Sequence, residues 1–332
     1  MINYGYACIN LELRKQKITT NRGMIRRTFD AKGLPYVSEI AIKNLVDQLK
    51  VVQWNVDNGI KLYRMSGSLF PWMSEYEFHE LPEYDTIKSI LAETGKLAMD
   101  NGQRLSFHPG QFCVLCSPTP KTVDNAIIEL DRHSQIMDMM GLPISPMAKI
   151  NIHVGGAYGD KESALKRWCE NYKRLETNTQ KRLVVENDDK ASMYSVKDLY
   201  EGVYKKIGVP ITFDYYHHKF CTGGLTEEEA LKLAASTWPK GITPCTHYSE
   251  SRRNEQKLMM EQICERNDIP FTALEETPDE WPTLSKYLKD FKKTKEQAHS
   301  DYILEKPDCY GLDIDCVVEA KAKEQSIINF IN

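Results

Sequence analysis

Six short apolar runs each deliver a histidine or an acid at or just before the end of the run. They are RLSFHPGQF (His108), AKINIHVGG (His153), RLVVEND (Glu186), PITFDYYHH (Asp214 and His217), GITPCTHYSE (His247) and DCVVEAKAK (Glu319). Imidazole and carboxylate without thiolate suit Mn2+ or Zn2+ better than a soft-metal site. With His299 from a loop, the candidate donors are too many for one ion and enough for two or three that share a bridging carboxylate. Asp214 and His217 stand three apart, so one helical turn after the run aims both at one point. Any one of these residues alone reads more readily as a helix cap or a hydrogen-bonded polar group. Six in the same place relative to their runs need one explanation.

That explanation is a set of strands. Val, Ile, Phe and Leu make each run a strand buried on both faces, and parallel strands closed into a barrel bring their C-terminal ends to one face. Helical patterns alternate with the runs. One begins near Ser38 as N-cap and stops at Asn58-Gly59. Others cover about 85–100 and 121–140. Two more follow the caps Asp160 and Ser195, the second ending at Gly208, and another covers 226–236. A last helix is expected over KAKEQSIINFI. INYGYA (2–7) and IKLYRMS (60–66) complete a count of eight strands and about eight helices. The expectation is an α/β fold, a single (β/α)8 TIM barrel over 1–332, with long loops on the C-terminal face of the strands. Two of those loops stand out: 8–36, and an insertion at 249–312 before the last strand. Loops of that length on that face are where recognition resides.

The 332 residues are 41% hydrophobic and 27% charged, with a net charge of −4. No apolar stretch is long enough for a bilayer and no signal segment precedes INYGYA, so the expected setting is intracellular, without membrane contact. Nine cysteines without a framework spacing fit a reducing compartment. The acidic balance argues against general nucleic-acid affinity but leaves room for a local basic patch. The first loop supplies one: Arg14, Lys15, Lys17, Arg22, Arg26, Arg27 and Lys32 stand against a single acid, Asp30, between residues 14 and 32. On the donor-bearing face such a run suits a phosphate backbone. Tyr4 or Tyr6, Phe112, Tyr158, Tyr215 and Tyr216 fall on the same face, where aromatics can stack on bases. Cys113 and Cys116 form a lone C-x-x-C, read as loop cysteines. The glycines of HVGGAYGDK are read as close backbone packing.

These segments together resemble the ultraviolet-damage endonucleases, barrel enzymes related in architecture to endonuclease IV and the sugar isomerases. The resemblance runs along nearly the whole chain, through GYACINL, TTNR, YRMSGSLFP, LSFHPGQF, HVGGAYGDK, VVENDD, FDYYHH, THYSESR, AHSDYI and VEAKAKEQ. It implies metal ligands at His108, His153, Glu186, Asp214, His217, His247, His299 and Glu319. Catalysis is expected from Glu186, His108, His247 and Glu319, with Glu186 bridging two ions. The implied cofactors are two or three divalent ions, Mn2+ foremost, with Zn2+, Co2+ and Mg2+ as alternatives. The implied substrate is double-stranded DNA carrying UV lesions, met by Tyr6, Asn10, Gln111 and Phe112. Incision would fall immediately 5′ of cyclobutane pyrimidine dimers and 6-4 photoproducts, leaving a 3′-hydroxyl and a 5′-phosphate; abasic sites stay open as additional substrates. A monomer is expected. Phe112 stands where the family usually has tyrosine, and Cys245 where it often has a lysine. The alternative reading on the same barrel is a metal-dependent sugar isomerase or epimerase.

Overall fold

A computed structural model describes residues 2–270 and 282–331; residues 271–281 of the expected insertion lie outside the described residues. Eight parallel strands form one sheet in the order β3-β2-β1-β8-β7-β6-β5-β4. They are β1 (Ile2–Ala7), β2 (Leu62–Arg64), β3 (Arg104–Ser106), β4 (Ile150–His153), β5 (Leu183–Glu186), β6 (Ile211–Asp214), β7 (Cys245–Tyr248) and β8 (Ile314–Val318). β1 and β8 pair over five residues, from Ile2 with Ile314 to Tyr6 with Val318. β3 and β4 meet only through an isolated bridge, Phe107 with Ile150. The sheet is thus a nearly closed barrel with a seam between β3 and β4.

The strands run apolar because both faces are covered: Val184, Ile211, Ile314 and Val317 are fully buried. The end of the barrel where the strands begin is shut by an ion pair. The Arg104 guanidinium bonds to Asp315 at 2.7 Å and donates to the carbonyls of Pro146, Met147 and Thr243. An ion pair with three further acceptors is what makes a buried charge tolerable. The opposite end is left to the residues of the site.

The helices that tie the strands together follow the sequence closely where a cap marks the start. Asp160 accepts from the N–H groups of Glu162 and Ser163, and Ser195 with Asp198 forms a capping box. The helices named below are α1 (Leu11–Lys15), α2 (Arg26–Asp57), α3 (Tyr84–Asp100), α4 (Pro120–Met139) and α5 (Lys161–Tyr172). Three local expectations need correction. The first loop is not irregular throughout, since it holds α1 and the start of α2. Ser38 is no cap: α2 breaks at Gly33 (φ 60°) and resumes at Pro35, so Ser38 lies inside the helix and is fully buried. Proline fits the first turn of a helix, where its missing N–H costs nothing. The last helix is also broken, into a 3-10 turn (Lys323–Ser326) and a short helix (Ile328–Ile331). The insertion carries helices of its own, among them Arg252–Arg266 and Pro282–Lys293.

Candidate metal centre

Glu186, the last residue of β5, stands at the centre of the open end and is 1% exposed. Four imidazoles face its carboxylate. His247 Nδ1 (3.1 Å), His108 Nε2 (3.3 Å) and His153 Nε2 (3.9 Å) approach Oε2, and His217 Nδ1 approaches Oε1 at 3.4 Å. Each comes from a different strand end, which is why no local stretch of sequence contains the site. Burial alone would raise the Glu186 carboxyl. The charges of His247 and His153 and a hydrogen bond from His108 outweigh burial and hold it well below the ordinary carboxylate range.

Asp214 ends β6 and caps the turn of helix that follows, accepting the His217 N–H at 2.8 Å. The cap fixes one carboxylate oxygen and turns the other toward His217. Burial, aided by the charges of Glu186 and Glu319, pushes the Asp214 carboxyl up to about 7. Two groups of donor atoms result, His108–His153–Glu186 and Glu186–Asp214–His217, each within 4.8 Å of one another, and Glu186 belongs to both.

Glu319 and His299 sit to one side of these groups. Glu319 forms an ion pair with Arg64, the last residue of β2, and lies 3.3 Å from His247 Nδ1. Burial would raise its carboxyl, but Arg64 and His247 hold it far down. His299 Nδ1 lies 3.1 Å from the Glu319 carbonyl and 3.7 Å from its carboxylate, and burial lowers the imidazole. The backbone bridge between Ser251 and His299 fixes this otherwise irregular segment.

A cation suits this arrangement on two grounds. The donors are hard or borderline, imidazole and carboxylate, in a set that divalent Mn or Zn accepts. Among the described residues, Asp214 Oδ2 and Asn151 Oδ1 are also buried without a hydrogen-bond partner, although such orphans are rare in folded proteins. Divalent ions held by Glu186 and its neighbours would satisfy the first directly.

Three residues of the centre escape a reading by strand ends. Asn151 donates to Glu186 from β4; the two-residue period of a strand places it on the face of His153, and a polar residue amid apolar ones is the available signal. Lys149 is fully buried, with Nζ 3.3 Å from His247 Nε2. Burial lowers its ammonium, and burial with the Lys149 charge pushes His247 down to about 4. In the sequence it looks like a solvated residue opening a strand. Asp188, in the loop after β5, lies 3.2 Å from His153 Nδ1. Burial would lower that imidazole, yet the charges of Glu186 and Asp188 raise it to about 10.

A cavity of about 1080 Å3 opens beside the metal donors, lined among others by His108, Gln111, Phe112, His153, Tyr158 and His217. Gln111 is exposed and Phe112 is 82% exposed. The loop that bears them is tied down by the C-x-x-C: Cys113 Sγ donates to the Ala126 carbonyl and Cys116 Sγ to the Gly156 carbonyl. Both thiols are buried and unpaired, so the motif is an anchor.

Tyr6 and Asn10 depart from expectation. Tyr6 is fully buried, donates to Asn55 Oδ1 at 2.8 Å and packs on Tyr63. Asn10 is 3% exposed, donates to the Tyr6 hydroxyl and caps α1. Neither presents a surface to DNA here; both shape the first loop from below. Tyr4, Tyr215 and Tyr216 are buried as well, which leaves Phe112 and Tyr158 as the exposed aromatics of the expected set. The basic run is partly neutralised within the fold. Lys15 pairs with Glu12, Arg22 with Asp47, and Arg26 with Asp30 and Glu75.

Fold and site together define a class: a parallel (β/α)8 barrel whose C-terminal face gathers imidazoles and carboxylates around a shared glutamate. Residues 2–332 match the family model UV-endonuclease UvdE, and the chain belongs to that family. It is 33% identical to the UV-damage endonuclease of Schizosaccharomyces pombe over 97% of this chain and 49% of that protein. It is equally, 33%, identical to the UV DNA damage endonuclease of Bacillus pumilus over 87% of this chain and 79% of that one. It spans about half the length of the fungal relatives it matches. The crystal structure of SacUVDE superposes with a TM-score of 0.78 at 27% identity, covering 100% of this chain and 97% of that one. The family is one of DNA-repair endonucleases, hydrolases on this barrel, which sets aside the sugar-isomerase reading.

Proposed function

We propose that the protein cuts double-stranded DNA immediately 5′ of UV photoproducts, leaving a 3′-hydroxyl and a 5′-phosphate, with abasic sites as further substrates. The observation that carries this reading is Glu186, shared by two donor clusters at the edge of a cavity walled by exposed Gln111 and Phe112. His108, His153, Glu186, Asp214 and His217 would hold the first two divalent ions, Mn2+ foremost, and His247, His299 and Glu319 a third. Bound there, such ions neutralise the phosphate and make water a usable nucleophile at neutral pH.

The chain's own residues supply the rest. Glu186, kept ionised by the imidazoles around it, offers one oxygen to each cluster. Asp188 orients His153 so that Nε2 faces Glu186, and Asn151 fixes the Glu186 carboxylate; such outer partners set ligand orientation. Arg64 balances Glu319 while the site lacks cations and adds positive charge near the phosphate. Photoproducts are singled out by their weak stacking and pairing, since extruding a damaged dinucleotide costs a few kcal/mol less than extruding intact bases. Gln111 and Phe112, exposed at the cavity rim, would fill the space left in the duplex.

The test is nicking of supercoiled plasmid, irradiated or not, with Mn2+ and with chelator. Nicking confined to irradiated plasmid and lost with chelator is expected. Glu186→Gln should remove nicking while damaged duplex is still bound. Nicking by that variant at the wild-type rate would refute the role of Glu186, and no nicking of irradiated plasmid by the metal-loaded protein would refute the reaction.

A further inference from the structure

Tyr158 is a large aromatic that the fold holds half exposed. Its ring is 52% exposed, in the wall of the same cavity as His108, His153 and Phe112. Its φ is 50°, in the left-handed region that residues other than glycine rarely adopt. A large aromatic held half exposed on a left-handed backbone costs folding energy, and such outliers cluster at functional sites.

The surroundings hold the ring in that place. A Cβ on Gly156 would lie 3.1 Å from Cε2 and Cζ of Tyr158, so the ring packs close against the Gly156 backbone. Gly155 has φ 103° and would meet Val114 at 2.7 Å if it bore a Cβ. The Gly156 carbonyl is itself pinned, accepting from Cys116 Sγ and from the Tyr194 hydroxyl, both at 3.3 Å. The Arg167 guanidinium lies over the ring, 5.8 Å from its centroid, and its Nε donates to the Cys116 carbonyl at 2.8 Å. Ring, backbone and guanidinium form one fixed unit, tied by Cys116 to the loop that carries Gln111 and Phe112.

We propose that Tyr158 is a preorganised stacking platform for a nucleobase of the substrate, acting in the same cavity as Phe112. This rests on the reading of the cavity as a DNA site. A π-face fixed in advance loses no side-chain freedom on binding, and every base has a face to offer it. Asn125 and Lys190, in the same wall, are polar groups of the kind that meet base edges and phosphates.

The experiment uses a duplex with a single thymine cyclobutane dimer and 2-aminopurine next to it, with the Mn2+-loaded protein. Wild type and Tyr158→Phe should quench 2-aminopurine on binding and nick alike. Tyr158→Leu should lose the quench and raise KM about tenfold, with the effect mainly in KM and less in kcat. Unchanged quench and KM in folded Tyr158→Leu would overturn the platform while leaving the nuclease standing. Quench by wild type and not by Tyr158→Leu, without nicking by either, would keep the platform and overturn the reaction. Neither quench nor nicking by wild type would overturn both.

Discussion

Acid should unfold this protein partly through a residue that takes no part in the chemistry. His133 lies in α4, fully buried, its Nδ1 2.8 Å from the Glu129 carbonyl and its ring edge-on to Phe107 at 4.7 Å. Phe107 immediately precedes His108, so this packing supports the candidate metal centre from behind. Burial pushes the His133 imidazole from 6.5 to about 4. The folded value lies below the unfolded one, so the unfolded chain binds the proton better. The stability contribution is therefore complete above about pH 6.5 and is lost as pH falls toward 4. Between about pH 7 and 4.5 the loss from this one group is about 2 kcal/mol. We expect His133→Gln, which cannot gain the charge, to lose less stability than wild type over that interval by about the same amount. Urea unfolding followed by circular dichroism at both pH values measures it. Asp214 and His153 titrate in both proteins, so their contributions cancel in the comparison. Parallel pH profiles for the two proteins would show that His133 is not what acid attacks.

Other perturbations bear on the site and its frame. Arg64→Leu leaves the half-buried Glu319 carboxylate without its cation, and should destabilise the chelator-treated protein by about 1–3 kcal/mol; failure of Glu319→Gln to restore that loss would sink the pairing argument. Gly95→Ala places a Cβ 1.9 Å from the Met140 carbonyl, where α3 meets the end of α4. A cost above about 2 kcal/mol in urea is expected, and a neutral result would mean that the helices can part freely. Phe112→Ala should slow nicking of irradiated DNA by about tenfold, with metal uptake, followed by calorimetry with Mn2+, unchanged. An unaltered rate would remove Phe112 from recognition.

Much of the barrel was legible because its strands are short apolar runs and several helices begin at a capping side chain. Asp160 and Ser195 mark helix starts within a residue, since a side-chain acceptor for free N–H groups is a local device. Ser38 misled for the same reason: it looks like a cap, but Pro35 with the left-handed Gly33 starts the main helix. The last helix failed where Lys323 takes φ 53°, a break that nothing in KAKEQSIINFI announces. The donor residues at strand ends show in the sequence as polar groups closing apolar runs. Lys149 and Asn151 carry no such mark, because they lie before or within their strand and only the closed barrel brings their partners near. Tyr6 shows the converse. Alternation in INYGYA puts it on one face with Tyr4, but the pattern does not say that Asn10 and Asn55 will enclose its hydroxyl.

The pairing of β1 with β8 bears on how the molecule is made. Asn3 bonds to Asp315 across 312 residues of chain, and Glu319, which follows β8, is the partner of Arg64 at the end of β2. Contacts so far apart in sequence form late, because the loop they close must be ordered first. During synthesis, at about 5–20 residues per second, the first strand must therefore wait tens of seconds for its neighbour. Until then Arg64 has no carboxylate and the donor set is incomplete. A nascent or truncated chain lacking β8 would hold several of the donors and still have no assembled centre. If these residues hold the metals, no nicking is expected until the barrel closes.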